Sequence, residues 1–279
     1  MKGYKGFEKG LACRGKQYAE NTVFEEQDAV ICESGMHFCE NPFDVLDHYK
    51  LLNDEAEFND FAEVEALDDV KTADHKIYCT KKLRIGAKLS FSEFVEACVN
   101  FAVEKRTTTI NDGNIDGRAL AASGDHSELA ASGDYSQLAS SGDCSALSSS
   151  GESSVLSSSG HHSKLAASGS CSQLAASGSC SQLAASGNCS KLAASGYDSD
   201  LAASGSYSKL AASGENSIIA GIGINNSAKA KKGCWITLAE WKGINGEYTP
   251  VCVKTERVDG EKIKEDTYYK LENGEFVEA

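Results

Sequence analysis

Positive charge is scarce in this chain. Across 279 residues, 27 Lys and Arg stand against 41 Asp and Glu, a formal net charge of −14 with a pI near 4.9. That deficit argues against nonspecific attraction to nucleic acid or to an anionic membrane, which takes basic patches. Long apolar runs are missing too: no stretch approaches the roughly 18 consecutive apolar residues of a membrane span. The opening MKGYKGFEKG has no apolar signal-peptide core. The expectation is a chain that stays in a reducing cytoplasm with its 11 cysteines as thiols. Catalytic signatures are also absent: there is no GxSxG, HExxH, P-loop or strand-borne GxGxxG. Cys32 and Cys39 stand seven apart, outside CxxC zinc spacing, and no metal or cofactor is expected.

What is present is a repeat. From Leu120 a nine-residue unit recurs as LAASGDHSE, LAASGDYSQ, LASSGDCSA and onward, with Leu at every ninth position to Leu210 and Ile219 in the next slot. Gly keeps the same period from Gly124 to Gly214, which a flexible Gly/Ser linker would not do. Each unit reads as a short strand plus a tight turn. In Glu128–Ser132 alternation points Leu129 and Ala131 inward, and Gly133 is expected to supply the positive φ of the turn. Two nonamers, 18 residues, complete one turn of a two-sided parallel β-roll, so the eleven nonamers predict five to six turns; a three-sided coil is the geometric alternative. One corner column reads His126, Cys144, His162, Cys180, Asp198 and Asn216, the other Tyr135, Ser153, Cys171, Cys189 and Tyr207. A single column at about 4.8 Å spacing cannot wrap tetrahedrally around one ion, so a half-buried corner is expected there instead. Calcium is disfavoured because the carboxylates at Asp125, Asp134, Asp143 and Glu152 give way to His161, Ser170, Ser179 and Asn188. On the outward strand face Ala121, Ala130, Ala166, Ala175, Ala184, Ala193, Ala202 and Ala211 form flat ladders, candidate contacts of a homo-oligomer.

The flanks differ. Residues 1–106 carry both signs of charge and no repeat, 14 bases against 21 acids. They read as an α+β domain with strands near 4–7, 11–18, 29–38, 59–66 and 77–87 and helices at 41–52 and 90–104, the second capped by Ser90 or Ser92. Residues 107–233 are the β-solenoid. Residues 234–279 alternate aromatic and aliphatic positions around Asn245-Gly246, Asp259-Gly260 and Asn273-Gly274, and read as a small all-β cap carrying Trp235 and Trp241. The predicted fold is therefore an α+β domain, a parallel β-roll with 18 residues per turn, and a β cap.

Three resemblances follow from particular residues. Asn216, Ser217, Ala220, Gly223, Ser227, Ala228 and Ala230 resemble the β-roll repeats of trimeric autotransporter adhesin heads, which implies a homotrimer; the expected homo-oligomer is a trimer or dimer. Cys13-Arg14-Gly15 with Tyr18, Gly35 through Glu40, and Gly233-Cys234-Trp235 through Trp241 resemble an uncharacterised family of bacteriophage and prophage proteins, which implies a phage accessory protein at work in the host cell. Arg14-Gly15, the segment 35–49 and the strand 61–69 are similar to ADP-ribosyltransferases. That likeness implies Gly15 against the nicotinamide amide of NAD, Tyr49 stacking on the ring, and a Glu such as Glu63 or Glu65 stabilising the ribose; no motif selects which acid.

The leading expectation is a non-enzymatic interaction protein. The run 53–69 holds Asp54, Glu55, Glu57, Asp60, Glu63, Glu65, Asp68 and Asp69 with no base, and would dock a host protein with a basic surface by mimicking nucleic-acid phosphate. Inhibition of a host defence or nucleic-acid-processing protein would follow. An NAD-using transferase and a structural or adhesin-like component are the alternatives.

Overall fold

The computed structural model describes residues 1–31, 33–104, 119–244 and 246–279. The boundary expected at 106/107, Cys32, and Asn245 of one turn signal lie outside them. The chain groups into two units, residues 1–53 with 58–106, and residues 54–57 with 107–279.

The first unit is built on one antiparallel sheet. Its strands are β1 (Lys2–Phe7), the short hairpin β2 (Ala12–Cys13) and β3 (Lys16–Gln17), β4 (Thr22–Glu25), β5 (Met36–Cys39), β6 (Asp60–Ala66), β7 (Val70–Thr72), β8 (Ile77–Thr80) and β9 (Lys82–Leu89). The seven-stranded sheet runs β4-β9-β6-β1-β5-β8-β7. The single strand expected at 77–87 is thus two. They lie on either side of β6, β1 and β5, yet only Lys81 separates them in sequence. Strands sit about 4.8 Å apart, so a one-residue link can join them only if the sheet curls strongly. The curl encloses Phe7, Tyr18, Met36, Phe38, Val64, Leu83 and Ile85.

Helix α1 (Pro42–Val45) is shorter than the 41–52 expected. Asn41 caps it, its Oδ1 accepting from Phe43 N, with Pro42 in the first turn. It ends with Leu46 as its C-cap, and Leu52 bridges to Phe58 as extended backbone rather than continuing the helix. Helix α2 (Phe91–Glu104) begins with a capping box: Glu93 N–H donates to Ser90 Oγ, and Ser90 N–H to Glu93 Oε2. Ser90 is therefore the cap.

The second unit is a two-sided solenoid of about seven turns. Its strands run from β10 (Ala119–Ala122) and β11 (Glu128–Ala131) at nine-residue spacing through β12–β19 to β20 (Lys209–Ala212), then β21 (Ile218–Gly221), β22 (Ser227–Ala230) and β23 (Trp235–Ile244). Strands 18 residues apart pair in parallel, Leu138 with Leu156 and Leu174 with Leu192, so even-numbered strands form one sheet and odd-numbered strands the other. The extra turn beyond five to six comes from β21–β23, which keep coiling after the last Leu unit. Leu and the fourth strand residue fill the thin core, as Leu174 with Ala176. Where Ser replaces that Ala, its hydroxyl finds a buried partner: Ser140 to Ser145 at 2.8 Å and Ser158 to Ser163 at 2.7 Å. Hairpin β23–β24 (Glu247–Arg257) ends one sheet, and β25 (Tyr269–Glu272) with β26 (Glu275–Glu278) ends the other.

The turn corrects one expectation. Positive φ falls not on the repeat glycine but two residues later, at His126, Tyr135, Cys144 and every equivalent through Asn225, with φ of 54–60°. The glycine is needed for contact: a Cβ on Gly178 would overlap the Gly160 carbonyl of the coil before it, and the same holds from Gly142 to Gly214. The buried Ser closing each turn donates back to that glycine carbonyl, at 2.6 Å from Ser136 and 3.0 Å from Ser172. Most of the left-handed residues are exposed, while Ser153 and Cys180 are half-buried as expected. Tyr135 is 63% and Tyr207 57% accessible, and Cys144, Cys171 and Cys189 are exposed, because that conformation turns the corner side chain off the rod.

Gly178→Ala is expected to cost about 3 kcal/mol, the scale of forced overpacking, in denaturant unfolding. Gly124→Ala, where a Cβ meets only Ser127 Oγ at 3.7 Å, should stay within about 0.5 kcal/mol.

Candidate functional site

A cleft of about 470 Å³ opens in the first unit. β1 and β5 are paired only at Tyr4–Cys39, so the two strands splay, and the space between them is walled by the β2–β3 hairpin and the turn after α1. The hairpin contributes Cys13, Arg14 and Lys16, followed by Tyr18; β5 contributes His37, Phe38 and Cys39; the turn contributes His48 and Tyr49. The motifs CRG-x-x-Y and GMHFCE, far apart in sequence, thus meet on one cavity. Gly6 is what admits Tyr49, since a Cβ there would stand 2.7 Å from the Tyr49 side chain.

Lys5, which no sequence motif singles out, is the central group. It is 4% exposed, and its Nζ donates to the His37 carbonyl at 2.9 Å. The same Nζ lies 5.4–5.8 Å from the ring centroids of Phe7, Tyr18 and Tyr49. Burial pushes the Lys5 ammonium below the usual lysine range, against the opposing pull of Cys13. Burial likewise lowers His37, helped by the charges of Lys5 and Arg14. Tyr18 is raised to about 12 and Cys39 to about 12, both chiefly by burial. Tyr49 is raised as well, by burial and by its 2.7 Å hydrogen bond with Cys13 Sγ. The only signal in the sequence for Lys5 was its place in a strand between Tyr4 and Gly6.

Of the transferase-like residues, Arg14 and Tyr49 line this cleft. Glu63 and Glu65 do not; Glu65 instead pairs with Arg84 at 3.0 Å. The acids that line it are Glu8 and Glu26, and Glu26 is held by Lys16. No described residues form a cluster of three or more metal-ligating side chains.

The acidic run is divided by the fold. Asp60 is buried; its Oδ2 accepts from Gly10 N at 2.7 Å and Leu11 N at 3.0 Å, and Oδ1 meets Lys88 at 2.6 Å. It anchors a loop and is not presented to a partner. Asp54, Glu55 and Glu57 belong to the second unit, where Lys191 meets Asp54 at 2.9 Å, Lys209 meets Glu55 at 3.3 Å and Lys229 meets Glu57 at 2.7 Å. Tyr268 lies under two of these lysines and donates to the Glu55 carbonyl. Glu63, Asp68 and Asp69 remain exposed. In the solenoid, Asp125 Oδ1 accepts from Asp143 N at 2.9 Å and Asp143 Oδ1 from His161 N at 2.7 Å, so these carboxylates also join successive coils.

The alanine ladder is two ladders. Ala130, Ala166, Ala184 and Ala202 stack on the odd-numbered sheet and are exposed. Ala175, Ala193 and Ala211 stack on the other sheet and are buried, and Ala121 is half-buried.

A family model described as Domain of unknown function (DUF7666) matches residues 1–97, a span that includes every residue lining the cleft. No curated protein and no solved structure matches the chain.

Asp60→Asn is expected to destabilise by about 2–3 kcal/mol, since it weakens a buried charge-assisted network. Asp68→Asn and Asp69→Asn should each stay within about 0.5 kcal/mol. Urea midpoints of the three variants measure the contrast.

Proposed function

We propose that this chain is a non-enzymatic interaction protein, a rigid β-solenoid that self-associates through one sheet face and draws a basic partner through its exposed carboxylates. The observation that carries the reading is an exposed column of small side chains running along one sheet face, beside the column of Glu128, Ala146, Lys164, Gln182 and Asp200. Ala130, Ser148, Ala166, Ala184 and Ala202 stack in register, and exposed Ile218, Ile222, Trp235 and Val253 extend the apolar surface at its C-terminal end. Alanine loses no rotamer freedom on burial, so covering such a face costs little entropy. Contiguous apolar surface of this kind is uncommon on a monomer. The occupant is a second copy of the chain. The basic partner is a host protein in the cytoplasm, and its inhibition follows the resemblance to phage proteins. With Asp60 buried and three acids matched by lysines, Glu63, Asp68 and Asp69 carry what remains of that attraction in the run.

Mass photometry of the chain, and of the double variant Ala166→Arg/Ala184→Arg, tests the first part. An oligomer that the variant converts to monomer, with unchanged melting, is the expected outcome; a monomeric parent at tens of micromolar overturns it. Affinity for a captured basic partner should fall steeply between about 50 and 300 mM salt.

One observation favours a second reading: Arg14 and Tyr49 share a cleft, as an NAD-using transferase would need. Against it, neither Glu63 nor Glu65 reaches that cleft. Labelled NAD with host lysate decides the matter: label transfer that Arg14→Ala abolishes would establish the enzyme.

A further inference from the structure

Residues 1–106 carry 14 bases against 21 acids, yet the cleft of the first unit gathers basic side chains: Lys5, Arg14, Lys16, His37 and His48 line it beside Glu8 and Glu26, and Lys16 holds Glu26. Among the described residues neither Lys5 nor Arg14 has an ion-pair partner. A buried ammonium without a counter-charge is costly, and an anion brought into the cleft would offset that cost.

Arg14 carries a second mark. Cys13 pairs with Lys16, so Arg14-Gly15 is a two-residue hairpin turn, and both residues have positive φ, 50° and 75°. That is the type I′ pattern, which favours Asn, Asp or Gly at its first position. An arginine there is strained where Gly would not be. Strained residues of this kind concentrate at ligand clamps, and this one lines the cleft wall.

We infer that the cleft binds a small phosphate monoester with a flat aromatic body. Two cations, Lys5 and Arg14, suit a dianion better than a single carboxylate, and the guanidinium fork matches phosphate oxygens. About 470 Å³ lies within the range of small-molecule sites and far exceeds one phosphate group, so the ligand has a body. Tyr18, Tyr49 and Phe38 line the remaining space with ring surface. The inference does not depend on self-association, because no residue of the exposed sheet face takes part.

The test is calorimetric titration of the full chain with phenyl phosphate, beside inorganic phosphate and benzoate. Saturable binding of phenyl phosphate is expected, tighter than either half-ligand. Arg14→Gly removes the charge and the backbone strain together, so it should melt no lower than the parent and bind at least about tenfold more weakly. Lys5→Met keeps the length of the side chain and should also weaken binding. If phenyl phosphate does not saturate at millimolar concentration, if benzoate binds equally well, or if Arg14→Gly binds like the parent, the inference is wrong.

Discussion

The contact on which the solenoid depends is the approach of each repeat glycine to the glycine carbonyl one coil earlier. No side chain fits between them from Gly142 onward, so a fixed 18-residue register is imposed coil after coil. Once the turns are that close, the rest follows. Leucines stack on leucines, small residues fill the thin interior, and the closing serine returns its hydroxyl to the glycine carbonyl. The left-handed corner residue is the cost of the tight turn. Because its side chain leaves the rod, the position accepts His, Tyr, Cys, Ser, Asp and Asn alike.

The first unit solves a different problem. A sheet curled tightly enough to join β8 and β9 through one residue has little room for regular pairing everywhere, and β1 and β5 part after a single register position. The gap is filled on one side by aromatic rings and on the other by a buried lysine, whose charge is met by ring faces and a carbonyl rather than by a carboxylate. Depressed Lys5 and His37 and elevated Tyr18 and Cys39 share a cause, the removal of water from a small space.

Much of this was legible in the residues. The nine-residue period announced the strands, the inward Leu and Ala, the two-sided coil and the column spacing, because a strict period leaves few ways to bury one face. Asn41-Pro42 and Ser90-x-x-Glu93 announced helix starts through local hydrogen bonds. Local pattern misplaced the positive φ, because glycine serves conformational freedom and close contact equally and sequence does not say which. It also overextended α1, where Leu52 pairs with Phe58, a partner that local pattern does not show.

Charge was the least legible property. A run of eight acids reads as one surface, yet Asp60 is a buried loop anchor and Asp54, Glu55 and Glu57 meet lysines more than 130 positions away. The alanines likewise read as equivalent, yet they fall on two sheets, and one ladder is exposed where the other is buried. The sequence by itself determined the solenoid, since its period acts between neighbouring coils alone. The tertiary structure decided which charges are free and which residues share a cleft, because those depend on partners that the chain brings together from distant positions.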